Sequence, residues 1–89
     1  MRKGKVDIVN KLGLHARAAS KLVNQAKHFA SRIELAKGGE SVDAKRIMAV
    51  MMLEAVVGTT LELVCEGDDE DAAFEAVCAL FADRFGEGE

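Results

Sequence analysis

The sequence predicts an α+β two-layer sandwich, and three observations carry that expectation. Four short segments alternate apolar and polar residues with the period of a strand. Longer segments between them repeat apolar residues at helical spacing. The two kinds of segment follow one another as β-α-β-β-α-β-α, an order that suits one sheet with helices covering one face. A chain of 89 residues buries only somewhat more than about 60% of its unfolded surface, so a thin core and a single domain over residues 1–89 are expected.

Each element has its own signal. Val6 and Ile8 flank Asp7, which predicts a first strand near residues 4–9. Asn10 to His15 reads as a loop. Ala16, Ala19, Leu22, Val23, Ala26 and Phe29 then recur at helical spacing, with Lys21, Asn24, Gln25 and Lys27 on the other side. This helix should stop between His28 and Ala30. Ile33 and Leu35 alternate with Arg32 and Glu34 in a second strand. Lys37-Gly38-Gly39-Glu40 is a hairpin signal, and Ser41 to Asp43 should pair back as a third strand. Residues 46–53 predict a short helix. Thr60 to Glu66 alternates with Leu61, Leu63 and Cys65 on one face. Asp68 and Asp69 offer cap oxygens for a last helix, and Glu70 and Asp71 suit its positive end. Ala73, Ala76, Val77, Leu80 and Phe81 give that helix an apolar stripe, and it should run to Phe85-Gly86.

Composition narrows the function classes. A hydrophobic fraction of 49% with 30% charged residues is that of a folded domain, not a disordered chain. No stretch is apolar enough to span a bilayer, and Met1-Arg2-Lys3-Gly4-Lys5 leads into an alternating segment, not an apolar signal region. A cytoplasmic protein without membrane insertion is expected. Residues 1–50 hold eleven basic and four acidic side chains, whereas residues 51–89 hold one basic and eleven acidic ones. Such polarity suits electrostatic steering toward a charged protein surface. Nucleic acid is not the expected partner, because there is no Trp or Tyr and no dense basic run. Cys65 and Cys78 fit no metal or redox spacing and are expected to be buried free thiols; no metal and no cofactor are expected.

The chemistry concentrates in Gly13-Leu14-His15-Ala16-Arg17-Ala18-Ala19. His15 stands where the chain enters the first helix. A helix start presents unpaired backbone N–H groups and a positive dipole end, a ready site for an anion. The amides of Ala16, Arg17 and Ala18 are the candidate phosphate-binding backbone. Ala16, Ala18 and Ala19 are small and should let a second protein approach. Arg17 adds a guanidinium that holds phosphate oxygens in a fork. Nucleophile, anion site and clamp thus fall within three residues, with no second catalytic His, nucleotide motif or metal cluster nearby. A phosphoryl group on His15 must then come from one macromolecule and leave to another. His28, at the far end of the same helix, reads as structural.

A second signal is the apolar run Ile47-Met48-Ala49-Val50-Met51-Met52-Leu53. With Val50 and Leu53 inward, Ile47, Met48 and Met51 fall on the other side. Met makes adaptable contact surfaces. Ser20, Lys27, Lys45 and Arg46 complete the candidate partner surface, the three cations as a basic rim.

Asn10 to Ala19 resembles the active-site signature of the HPr family, phosphocarriers of the bacterial phosphoenolpyruvate-dependent phosphotransferase system. Asp43 to Leu53 resembles that family's second signature, and the likeness covers nearly the whole chain. It implies an open-faced sandwich with an antiparallel sheet in the order 1-4-2-3. It implies phosphorylation of His15 at Nδ1 by enzyme I, transfer to enzyme IIA domains with Arg17 assisting, and a monomer that relays phosphate without being an enzyme. Two departures stand out. Ala18 replaces a common proline, which only presets φ. Arg46 replaces the family's regulatory serine, so serine phosphorylation at this position is not expected. Ala55-Val56-Val57-Gly58 and the acidic tail Ala82 to Glu87 resemble proteobacterial members, including the nitrogen-type carrier NPr. The sugar and nitrogen branches both stay open, as does a plain interaction module that makes no use of His15. A metal carrier would need paired loop cysteines, and a free-standing enzyme a substrate pocket.

Overall fold

The computed structural model describes residues 1–88. Its elements are β1 (Arg2–Asp7), α1 (Ala16–Ala26), β2 (Arg32–Lys37), β3 (Glu40–Asp43), α2 (Ile47–Met52), β4 (Thr60–Glu66) and α3 (Glu70–Ala82), followed by a 3₁₀ turn at Arg84–Gly86. The strands form one antiparallel sheet in the order β1-β4-β2-β3. Alternation decides which face is covered. Val6, Ile33, Leu35, Leu61, Leu63 and Cys65 are buried against the helices, while Lys5, Arg32, Glu62 and Glu66 lie on the open side. The core continues into Leu22 and Val23 of α1, Val50 of α2, and Ala73, Val77 and Phe81 of α3.

The strand and hairpin expectations hold with shifted ends. β1 starts two residues early because Arg2 is in register with Cys65. Arg2 also reaches Asp71 (3.1 Å) and Glu75 (2.7 Å) on α3, and its guanidinium stacks 4.4 Å over the Phe74 ring. Gly4 makes room for that ring, since a Cβ there would lie 2.5 Å from Phe74 Cζ. Ile8 lies past the strand end but is buried. Gly38 and Gly39 both have positive φ, as a two-residue turn between twisted strands demands. Part of the charge asymmetry is thus spent inside the fold: Arg2 and Arg32 both pair with acids.

Four expectations need correcting. α1 ends at Ala26, and Lys27 to Phe29 form a turn. In α1 the buried stripe is Ala18, Ala19, Leu22, Val23 and Ala26, while Ala16 is exposed. Ala18, Leu22 and Ala26 are spaced four apart and share the face that meets the core, so Ala18 and Ala19 do not form an open approach. Asp69 does not cap its own helix. Its carboxylate instead accepts from the backbone N–H groups of Ala30 and Ser31, each at 2.9 Å, and from the Ser31 hydroxyl. Finally, α3 stops at Ala82; Arg84 and Phe85 take left-handed φ values of 56° and 55°, which turn the chain back. Each such residue costs about 1–2 kcal/mol. Phe85 offsets this by complete burial, its ring edge-on to Phe81 at 4.9 Å.

Candidate functional site

The loop before α1 is built to present His15. Gly13 has a φ of 68°, and a Cβ there would lie 2.5 Å from the Ala55 carbonyl oxygen, so glycine is required on both counts. Leu14 is buried and its N–H donates to that carbonyl at 2.9 Å. Asn10 is fully buried, and its Nδ2 donates to the Gly13 carbonyl at 2.8 Å. These contacts deliver His15 in extended backbone, φ −72° and ψ 176°, as the residue that caps α1. Its carbonyl accepts the first helical bond, from the Ala19 N–H at 2.8 Å. The amides of Ala16, Arg17 and Ala18 precede that bond and have no partner within the helix.

The His15 side chain is 27% exposed. Its Nε2 is hydrogen-bonded to Glu87 Oε2, and among the described residues Nδ1 has no hydrogen-bond partner. The other oxygen of Glu87 accepts from Asn10 Nδ2 at 3.0 Å. Asn10 first and His15 second hold the Glu87 carboxyl below the usual carboxylate range. The tail that carries Glu87 is fixed by the buried Phe85 and by Lys21, whose Nζ donates to the Phe85 carbonyl at 2.6 Å. Arg17 is exposed in the first turn of α1 and edges a shallow hollow with Lys11, Leu12, Glu87 and Gly88.

The second group of candidate residues lies on and around α2. Met48 is 70% exposed, and Ile47 and Met51 are each 38% exposed, while Val50 and Leu53 are buried. α2 packs against α1. Arg46 and Lys27 are exposed, and Ser20 is half-buried on α1. Lys45 differs from expectation. Its Nζ is drawn in to the Phe29 carbonyl at 2.7 Å, so it ties the segment before α2 to the turn after α1 instead of standing free at a rim. Sequence reasoning missed the rest of the apolar surface: Leu12, Met52, Val56 and Val57 are all exposed. Val56 lies beside Gly13, so this surface runs from α2 to the loop that holds His15.

Glu87 and Asn10 were the other omissions. Nothing in local spacing connects Glu87 to His15, 72 positions away. Asn10 carried a weak signal as a polar residue in a turn-forming loop, but only burial shows its role. His28 is exposed; its backbone N–H donates to the Gln25 carbonyl at 3.1 Å, and its ring has no hydrogen-bond partner among the described residues. Cys65 is buried and desolvation pushes its thiol up to about 11; the half-buried Cys78 is raised for the same reason. Among the described residues no cluster of His, Cys, Asp or Glu could hold a metal, and no helix is long and apolar enough to cross a membrane.

This geometry has close counterparts. Residues 2–83 match the family described as the PTS HPr component phosphorylation site. The chain is 54% identical over 82 residues to the phosphocarrier protein HPr of Cupriavidus necator, covering 92% of each chain. It is 51% identical over 85 residues to that of Pseudomonas aeruginosa, covering 94% of each. Its fold superposes on the crystal structure of HPr-C-His from Thermoanaerobacter tengcongensis with a TM-score of 0.97, at 40% identity and full coverage of both chains.

Proposed function

This chain belongs to the HPr family of phosphotransferase-system phosphocarriers, and from that premise we propose that His15 is its phosphoacceptor. One observation supports this reading above the others: His15 begins α1 with Nε2 engaged and, among the described residues, no hydrogen-bond partner on Nδ1. The Nδ1 lone pair attacks the phosphorus carried by phosphorylated enzyme I. As the Nδ1–P bond forms, the bond from phosphorus to the donor breaks and its electron pair leaves with the donor. The same exchange in the opposite sense delivers the group to an enzyme IIA domain. Amides of Ala16, Arg17 and Ala18 offer hydrogen bonds to the phosphoryl oxygens, and the helix start favours their negative charge. Arg17 closes on them as a bidentate clamp.

Both partners must use the surface around His15, so one adaptable face serves both. Ile47, Met48 and Met51 supply its apolar part, and the exposed Lys27 and Arg46 and the half-buried Ser20 complete it. Lys45 contributes by holding the segment before α2 in place. The protein acts as a monomer in the cytoplasm, with contacts small enough to release quickly, below roughly 1,200 Å² in total. The test is incubation with phosphoenolpyruvate and enzyme I, followed by mapping of the acid-labile phosphoryl group. Label on His15, passed on to enzyme IIA, is expected. Label on another residue overturns the assignment.

A further inference from the structure

The contact between His15 and the C-terminal tail has a chemical consequence for transfer. Glu87 is 15% exposed, and its carboxylate spans two partners, Asn10 Nδ2 on one oxygen and His15 Nε2 on the other. A loose surface pairing would not need the supports found here. The tail turns through two non-glycine residues in left-handed backbone, is pinned by the buried Phe85, and is tied to α1 through Lys21. The second partner is just as constrained. Asn10 is wholly buried and splits its amide between the Gly13 carbonyl and Glu87. One side chain therefore sets both the loop that presents His15 and the carboxylate that meets its ring.

We propose that Glu87, held by Asn10, is a positioning residue that keeps the proton of His15 on Nε2 and so leaves the lone pair on Nδ1. The inference rests on the reading of His15 as phosphoacceptor. An ionised carboxylate only accepts hydrogen bonds, so the ring nitrogen facing it carries the hydrogen. In the neutral imidazole the other nitrogen is then the nucleophile. As the Nδ1–P bond forms, electron density leaves the ring and positive charge develops on it. The proton stays on Nε2, facing the carboxylate, which stabilises that charge without taking the proton. When the acceptor withdraws the phosphoryl group, the Nδ1–P electron pair returns to Nδ1 and the ring is neutral again. No other proton moves and no co-reactant is required. The carboxylate also fixes the plane of the ring, so Nδ1 points toward the approaching phosphorus.

The experiment uses the whole chain as wild type, Glu87→Ala and Glu87→Gln. Nitrogen-15 spectra of the His15 ring report the tautomer, and initial rates with phosphoenolpyruvate and saturating enzyme I report transfer. At a pH where the ring is neutral, wild type is expected to show its hydrogen on Nε2. Glu87→Ala should show a mixture of tautomers and a kcat for acceptance lower by about tenfold, the scale of one hydrogen bond to a charged group, with a smaller change in KM. Glu87→Gln has one acceptor oxygen for two donors, Asn10 Nδ2 and His15 Nε2, so its amide nitrogen must face one of them; it should lose the uniform tautomer and part of the rate. An unchanged tautomer in Glu87→Ala overturns the proposal. So does an unchanged rate, and so does a faster one, which would make the tail a cover over His15. Phosphoryl mapping separates the two levels: label away from His15 overturns the acceptor assignment, whereas label on His15 with unaffected variants overturns the role of Glu87 alone.

Discussion

Two carboxylates from the last quarter of the chain hold the segments that flank α1, one on each side, and they do so differently. At the C-terminal end Asp69 holds the backbone N–H groups of Ala30 and Ser31 and the Ser31 hydroxyl. Gly67 lets this loop close, since a Cβ there would lie 2.7 Å from Ser31 Oγ. At the N-terminal end Glu87 holds the side chains of Asn10 and His15. Both acids are shifted below the ordinary carboxylate range by their donors. The difference lies in the donors. Backbone amides and a hydroxyl stay protonated through every working condition, so Asp69 makes a fastening. An imidazole has two nitrogens with one hydrogen to share, so a carboxylate against it also chooses which nitrogen reacts. The same kind of contact is architectural at one end and chemical at the other.

The largest expected effect separates the two ends outright. His15→Ala should abolish phosphoryl acceptance from phosphoenolpyruvate and enzyme I, while His28→Ala, beyond the other end of α1, should label at the wild-type rate. Acid-labile label retained by His15→Ala would erase the distinction. Next comes the surface that brings partners to the working end. Met48→Asp places an unpaired acid in the centre of the contact and should weaken binding to enzyme I and to enzyme IIA by about tenfold or more. Its melting temperature should change by no more than about 3 °C, because Met48 is already in water. Titration against each partner and thermal unfolding of the free variant check the two halves of this statement. Arg17→Lys should be milder: transfer slows severalfold as the planar fork is lost, while affinity of the unphosphorylated carrier for enzyme I hardly moves. Equal transfer rates would remove Arg17 from the clamp.

The smallest effect tests the holding end. Asp69→Asn should lower the melting temperature at neutral pH by about 3–5 °C without changing the transfer rate. The sign of its pH dependence follows from the depressed folded value, caused first by the Ser31 hydroxyl and then by the Ala30 amide. The contribution of Asp69 is complete above the unfolded-chain value near about 4 and is lost as pH falls through the lower folded value. Melting curves of wild type and Asp69→Asn should therefore converge in acid.

Much of this molecule is readable from local pattern. Alternation marks the strands, Gly38-Gly39 marks the hairpin, and the inward Val50 and Leu53 leave Met48 outside, as their spacing requires. The residues His15 and Arg17 stand out because a helix start next to a guanidinium suits an anion. What local pattern does not carry is long-range pairing. Asp69 looks like a cap for α3 because acids favour helix starts, yet its partners lie 38 and 39 positions away. Phe81 and Phe85 are four apart, so they look like one helical stripe. The chain instead breaks between them, and a left-handed turn restores the burial that the helix would have given. That break aims Glu87 at His15, and an i to i+4 reading passes straight over it.

The joining of Glu87 to His15 and Asn10 also bears on how the protein acquires its activity. Those contacts link residues 72 and 77 positions apart, among the longest closures this chain makes. Closing a long loop costs more chain entropy than closing a short one, and distant contacts slow assembly. A newly made chain should therefore have its β2–β3 hairpin before it has a competent acceptor. Refolding followed at the His15 ring is expected to lag, never lead, refolding followed at Gly38-Gly39, so that only a finished molecule enters the phosphate relay.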